Sequence, residues 1–190
     1  MQDPIKIALI YGSARENRFC ETVVRWVLSE LSAIEGIDIT LVDPADLTIT
    51  AAGLDAASAE TVEALLSGAD AFLIAVPEYN HGYPAALKAV IDSAYRPWHA
   101  KPVAFVSYGG VSGGLRAFEQ LRQVFAELHA VTIRDTVSLA HVWALFDSAG
   151  HPLRPGQMNG PLLAMMARLL WWARALKRAR EEADYEQVAA

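Results

Sequence analysis

The stretch IKIALIYGSARENRF, residues 5–19, decides the fold prediction because it joins an apolar run to a polar loop. The run 5–11 is almost wholly apolar, which is typical of a strand buried on both faces of a parallel sheet. Gly12 ends the run, and after Phe19 the apolar residues recur with helical spacing. A strand, a short loop and a helix in this order predict the first half of a βαβ unit.

The same alternation continues along the chain. Predicted strands are 5–11, 37–42, 71–76, 103–107 and 131–139, and we expect all five to be buried on both faces. Predicted helices are 19–34, 60–67, 85–94, 112–130 with Ser112 as its cap, and about 160–182, entered through Pro161. Five strands alternating with five helices indicate the α/β class, with a doubly wound five-stranded parallel sheet and helices on both faces.

Composition limits the function classes. The 190 residues, 53% hydrophobic and 20% charged, predict a single globular domain spanning 1–190, and the apolar surplus favours a homo-oligomer. A net charge of −6 argues against nucleic acid as a partner, and no apolar run is long enough to predict a membrane span. Cys20 is the single cysteine and no signal peptide is visible, so we expect a cytoplasmic protein.

Ligands of doubly wound sheets bind at the carboxyl ends of the strands, so the loops there are the candidate site. The first loop, 12–19, leads into a helix start that attracts anions, and Ser13, Arg15 and Arg18 add donors suited to phosphate. Neither a Gly-x-Gly-x-x-Gly fingerprint nor a Walker motif is present, which disfavours a dinucleotide clamp and a nucleoside triphosphatase.

Two later loops also have unusual compositions. PEYNHGYPAALK, residues 77–88, places aromatic side chains on a loop shaped by proline, glycine and asparagine, which suits a flat conjugated ligand. We expect His81 in this loop to face solvent. SYGGVSGGLR, residues 107–116, carries glycines at 109, 110, 113 and 114, whose backbone N–H groups can bind an anion or a polar ring edge.

Three segments, GSARENRF (12–19), PEYNHGYPAALKAVID (77–92) and SYGGVSGGLRAFEQLR (107–122), closely resemble the signature loops of the NADPH-dependent FMN reductase family. That family has a flavodoxin-like fold and includes quinone, azo-dye and chromate reductases. The resemblance covers about residues 5–140 and implies FMN and NADPH, or NADH, as cofactors. It departs at Arg18 and Cys20, where some members carry small polar residues, and we leave Cys20 out of the site.

The resemblance also implies a role for each loop. It assigns the FMN phosphate to Ser13, Arg15, Arg18 and Phe19, and the ring and ribityl chain to Pro77, Glu78, Tyr79 and Asn80. The other wall of the site is then formed by Ser107, Tyr108, Gly109, Gly110, Val111 and Gly113. We assign no catalytic side chain and no metal ligand, because the chain shows no Ser-His-Asp arrangement and no metal-ligand spacing.

The function implied is an FMN-dependent oxidoreductase that takes a hydride from NAD(P)H and reduces a small acceptor such as a flavin, a quinone or an azo compound. A flavodoxin-type electron carrier, a non-catalytic flavin-binding redox sensor and a phosphate-ester enzyme are the alternatives. The identity of the acceptor and the choice between NADPH and NADH stay open, as does whether FMN is a cofactor or a substrate. Relatives form dimers or tetramers, so we expect a homodimer or homotetramer with the region about 160–182 at the interface.

Overall fold

The computed structural model describes residues 3–188 and contains a five-stranded parallel sheet covered by helices. The strands are β1 (Ile5–Tyr11), β2 (Ile37–Val42), β3 (Ile49–Thr50), β4 (Gly53–Leu54), β5 (Ala71–Pro77), β6 (Pro102–Tyr108) and β7 (Val131–Leu139). The helices are α1 (Cys20–Leu31), α2 (Ala56–Ser67), α3 (Ala85–Asp92), α4 (Leu115–Glu127) and α5 (Pro155–Glu182). The sheet order β2-β1-β5-β6-β7 is that of a flavodoxin-like fold, which confirms the predicted class.

Two apolar layers hold the sheet between the helices. Side chains of α1 and α5 pack on one face of the sheet, and side chains of α2, α3 and α4 pack on the other. The central strands β1, β5 and β6 are buried almost throughout, as predicted. The expectation that all five strands are buried was wrong for β2 and β7, because these edge strands have one open side and carry exposed residues.

Three helices begin three or more residues away from their predicted starts. α2 begins at Ala56, since the Asp55 side chain accepts a hydrogen bond of 2.8 Å from the Ser58 N–H and caps the helix earlier than expected. α4 begins at Leu115 after Gly114, so Ser112 does not cap it. α5 begins at Pro155 and continues through Pro161.

Tertiary packing explains why α5 does not begin at Pro161. Met158 and Leu162 lie on either side of that proline and are both buried in the core layer, so the turn around it is held against the sheet. The short hairpin of β3 and β4 was not predicted and lies outside the main sheet. None of the helices between residues 3 and 188 is long and apolar enough to cross a membrane.

Candidate functional site

The first and second loops meet at Gly12, where β1 ends beside β5. The Gly12 N–H donates to the Ala75 carbonyl at 2.8 Å. A Cβ atom at position 12 would lie 2.5 Å from that same oxygen, so only glycine fits. This close approach sets the loop after β1 against the loop after β5 at the carboxyl edge, by which we mean the edge of the sheet formed by the carboxyl ends of the strands.

Ser13, Arg15 and Tyr79 form the contact between these two loops. The Ser13 hydroxyl lies 2.8 Å from the Tyr79 hydroxyl, and it also accepts the Arg15 backbone N–H at 3.3 Å. The Arg15 guanidinium stacks 3.8 Å above the centre of the Tyr79 ring. Ser13 is completely buried by this arrangement, whereas Arg15 is exposed. Contact between the Ser13 hydroxyl and a ligand therefore requires a neighbouring side chain to move.

The Arg18 guanidinium is occupied by hydrogen bonds to other residues of the protein. Its guanidinium donates to Asp43 Oδ1 at 2.6 Å and to Glu21 Oε1 at 2.6 Å, and it also bonds the Ser13 carbonyl. The hydrogen bond to Asp43 is the main reason that the pKa of Arg18 is raised, and its side chain is only 6% exposed. Its charge is neutralised by two carboxylates, so Arg18 shapes the first loop while Arg15 is the exposed cation there.

The start of α1 presents backbone donors towards the first loop. Phe19 precedes the helix and provides no side-chain cap. Its ring instead packs edge-on against Phe146 at 5.7 Å, on the core side of the loop. Cys20 is buried, its Sγ lies 3.6 Å from the Ala75 carbonyl, and burial raises the pKa of its thiol. The first N–H groups of α1 together with Arg15 are therefore suited to an anion.

The second loop is a tight two-residue turn. Tyr79 and Gly82 exchange backbone hydrogen bonds of 2.9 and 3.1 Å, and the residues between them, Asn80 and His81, have φ values of 51° and 69°. Both of these residues are exposed, as predicted for His81. The Gln120 side chain donates to the His81 carbonyl at 3.0 Å, so α4 supports the turn.

Glu78 joins the second loop to the third. Its carboxylate accepts hydrogen bonds from the Ser112 hydroxyl at 2.7 Å and from the Arg116 guanidinium at 2.6 Å. Burial alone would raise the Glu78 pKa, but the hydrogen bonds from Ser112 and Arg116 outweigh it, and the pKa is lowered. This carboxylate is ionised and paired, so it is a loop anchor rather than a proton carrier at neutral pH.

The third loop folds back on the ends of β6 and β7. The hydroxyls of Ser107 and Ser138 both donate to the Gly113 carbonyl, at 2.8 and 2.9 Å. Gly113 has a φ of 62°, and a Cβ atom there would lie 2.4 Å from the Ser138 Oγ. Glycine at this position is thus required by packing within the protein, and a larger residue would disturb the loop itself.

Three of the four glycine N–H groups in this loop have acceptors inside the chain. Gly109 donates to the Leu139 carbonyl at 3.2 Å, Gly113 to the Gly110 carbonyl at 3.2 Å and Gly114 to the Ser112 hydroxyl at 3.3 Å. Within residues 3–188 the N–H groups of Gly110 and Val111 have no acceptor. The donors available to a ligand are therefore those at the tip of the loop.

All residues assigned to the site at the sequence level lie on the carboxyl edge, but not all of their side chains face outward. Arg15, Asn80 and Val111 are exposed, and Glu78, Tyr79 and Gly110 are half-buried. Buried behind them are Ser13, Pro77, Ser107, Tyr108, Gly109 and Gly113. The Tyr108 hydroxyl lies beside Cys20 without a hydrogen-bond partner, and burial raises its pKa.

Several supporting residues were missed by the sequence reasoning. Asp43, which follows β2, pairs with Arg18, and Gln120 on α4 holds the second loop. Arg116 lay within the quoted motif but carried no assigned role. Their partners are distant in sequence, so no local spacing reveals them.

Exposed residues of the three loops, Arg15, Asn80 and Val111, give the carboxyl edge an open face. A cavity of about 460 Å³ lies at the opposite end of the sheet and is lined by residues such as Ile5, Trp171 and Lys177. No group of three or more metal-ligating side chains occurs in the part of the chain that the structure describes.

FMN has an anionic phosphate and a flat ring with a polar edge, and the residues present fit both. The uncapped start of α1 and Arg15 suit the phosphate. The exposed turn at Asn80 and the free N–H groups of Gly110 and Val111 suit the ring.

Comparison with known proteins agrees with this fit. The family model described as NADPH-dependent FMN reductase matches residues 5–144. An NAD(P)H-dependent FMN reductase of Schizosaccharomyces pombe is 37% identical over 120 residues, which are 57% of this chain and 60% of that protein. An NADPH:quinone oxidoreductase of Arabidopsis thaliana is 35% identical over 138 residues, covering 67% of this chain and 70% of that protein.

A solved structure confirms the fold independently of close sequence similarity. The flavoenzyme FerB of Paracoccus denitrificans superposes with a TM-score of 0.72 at 22% identity, over 90% of this chain and 98% of that chain. With the sheet order and the matched loops, these findings show that the chain belongs to the NADPH-dependent FMN reductase family and is an oxidoreductase that works with FMN and NAD(P)H.

Proposed function

We propose that this protein binds FMN at the carboxyl edge of the sheet and there transfers a hydride from NAD(P)H to a small acceptor. The observation that carries the proposal is the convergence of an uncapped helix start, which suits an anion, with two braced loops at one open edge. FMN supplies the redox chemistry when it is bound, so the protein needs to provide binding, orientation and electrostatics.

The phosphate end is the start of α1. Its first N–H groups and the positive end of the helix dipole attract an anion, and the exposed Arg15 adds a charge-assisted donor. Arg18 contributes indirectly, since it holds the Ser13 carbonyl and the Asp43 carboxylate and so maintains the loop conformation.

The ring end lies between the turn at Asn80 and the tip of the third loop. The N–H groups of Gly110 and Val111 are free to bind a polar ring edge and to stabilise negative charge that develops there. The ion pair of Glu78 and Arg116 holds the second loop against the third loop, so the two walls of the site keep a fixed separation. No side chain of the described residues needs to act as a general acid or base in this scheme.

The test is an absorbance and reduction experiment on purified protein. The protein is mixed with FMN, excess FMN is removed, and NADPH is added without oxygen. Retained flavin absorbance that NADPH bleaches is the expected result. Flavin that is retained but not bleached would instead favour an electron carrier or a redox sensor. The absence of both flavin retention and FMN-dependent NADPH oxidation would contradict the proposal.

The proposed acceptor class is a small conjugated molecule, such as a quinone, a flavin or an azo compound. An open edge of this kind admits a second flat molecule beside the flavin, and the Arabidopsis relative is an NADPH:quinone oxidoreductase. Turnover assays with a soluble quinone, free FMN and an azo dye, each with NADPH and NADH, rank the acceptors and the hydride donors.

We also propose that the protein forms a homodimer or homotetramer through α5. Leu163, Trp171 and Trp172 are large apolar residues of this helix that are exposed in the single chain. Light scattering after size exclusion gives the mass, and Trp171→Glu should reduce it to that of one chain. Location in the cytoplasm and the absence of nucleic-acid and membrane partners remain predictions, which fractionation and binding assays check.

A further inference from the structure

A tryptophan that no motif singled out stands at the rim of the candidate site. Trp143 lies in the short 3-10 helix Val142–Ala144, which follows β7 at the carboxyl edge. A Cβ atom placed on Gly110 would be 3.9 Å from Cη2 of the Trp143 ring. The indole therefore lies next to the loop tip whose N–H groups are free.

The backbone around Trp143 is fixed to the third loop. The N–H groups of His141 and Val142 donate to the carbonyls of Gly110 and Gly109, at 2.8 and 3.1 Å. The Val142 side chain is buried in the core and anchors the turn. His141 has a φ of 48°, an uncommon conformation for a residue other than glycine, and its N–H bond to Gly110 helps to hold the chain in it. The backbone that carries the indole is therefore held firmly in place.

The indole is largely open to solvent in the described part of the chain. Trp143 is 60% exposed, and the neighbouring loop residue Val111 is 77% exposed. Among residues 3–188 no other aromatic ring and no cationic group stacks on it. A large apolar ring that is held rigidly and left open to solvent is typical of a binding position.

We infer that Trp143 forms an aromatic wall against which the flat conjugated ring of the second substrate stacks. The inference rests on the proposed function, because it places that ring beside FMN at the same edge. The nicotinamide of NAD(P)H and a quinone acceptor both have a flat conjugated ring of the kind that stacks on an indole. Trp143 positions the ring through its face and takes no part in proton or electron transfer.

The test compares three variants with the wild-type protein, all loaded with FMN. Trp143→Ala removes the ring and Trp143→Phe keeps an aromatic face. Tyr95→Ala is the matched control, because Tyr95 is an aromatic residue 51% exposed that precedes β6 at the opposite edge of the sheet. FMN affinity is measured first for each protein by fluorescence titration.

Calorimetric titration of the oxidised protein with a soluble naphthoquinone, and separately with NADP⁺, then measures ring binding without turnover. Stopped-flow reduction by NADPH and reoxidation by the quinone give the two half-reactions. Ferricyanide is the control acceptor, because it has no flat ring to stack on the indole.

Trp143→Ala should weaken binding of the quinone, of NADP⁺ or of both by roughly 3- to 10-fold, while Trp143→Phe keeps most of the affinity. The compound whose binding is weakened is the one whose ring stacks on the indole. Ferricyanide reoxidation and the Tyr95→Ala protein should be unchanged. Unchanged binding of both ring compounds to Trp143→Ala would overturn the inference, and so would a parallel loss of FMN affinity. Failure of NADPH to bleach the wild-type protein would count against the proposed function alone, since the quinone titration still reports on Trp143.

Discussion

The Glu78 carboxylate lies 2.6 Å from the Arg116 guanidinium, and this pair connects the loop after β5 to the first turn of α4. The Glu78 side chain is 7% exposed, whereas Arg116 is 45% exposed. Ser112 donates to the second carboxylate oxygen. The two walls of the candidate site are thus tied by one buried anion whose donors come from the opposite loop.

Glu78→Gln should lower the free energy of unfolding by about 1–3 kcal/mol, because charged hydrogen bonds to Ser112 and Arg116 are replaced by weaker ones. We also expect weaker FMN binding, since the two walls become less constrained. Urea unfolding and FMN titration measure the two effects. Glu119→Gln is the control. Glu119 lies on α4, as Arg116 does, but it is exposed and pairs with Arg122 at 3.2 Å. Equal stability of the two variants would show that Glu78 is not an anchor.

The stability that Glu78 contributes should depend on pH in the acid range. Its folded-state pKa is lowered from 4.5, so the unfolded state binds the proton more tightly. The contribution is fully present above the unfolded pKa and is lost as the pH falls through the folded pKa. The difference in unfolding free energy between wild type and Glu78→Gln should therefore be constant near neutral pH and shrink below about pH 4.5. A difference that grows on acidification would contradict this assignment.

Substitution of Arg15 should affect mainly ligand binding, whereas substitution of Arg18 should affect mainly stability. Arg15→Ala removes an exposed cation and should weaken FMN binding by about 10- to 100-fold with little loss of stability. Arg18→Ala leaves the partly buried Asp43 carboxylate without its partner and should cost about 3 kcal/mol or more of unfolding free energy. Flavin titration and urea unfolding of both variants check the contrast. The assignment fails if Arg15→Ala binds FMN as tightly as the wild type.

Gly12→Ala should destabilise the protein by about 1–3 kcal/mol or more, because its Cβ would lie 2.5 Å from the Ala75 carbonyl and force β1 and β5 apart. Gly156→Ala is the matched control within α5, where no atom lies within 4 Å of the added methyl. Alanine there should be neutral or stabilise by up to about 1 kcal/mol. Thermal unfolding of both proteins measures the effect, and similar melting temperatures would refute the close-approach argument.

The local sequence determined the class of fold and the position of the candidate site along the chain. Apolar runs predicted the five main strands to within one residue at each end, because burial between two helical layers requires such runs. The turns at Gly12 and Asn80 were also marked by residue types that tolerate close approach or a positive φ. These are properties of neighbouring residues, so sequence alone carries them.

The tertiary structure decided which side chains are exposed at the candidate site. Arg15 and Arg18 look equivalent in sequence, but Asp43, brought alongside by β2, neutralises Arg18 and leaves Arg15 exposed. In the same way, Ser112 is not the cap of α4, because the helix begins only at Leu115 after Gly114, and the Ser112 hydroxyl instead donates to the Glu78 carboxylate at 2.7 Å. Contacts between residues far apart in the chain exist only after the sheet has formed, and the pattern of local residue types does not record them.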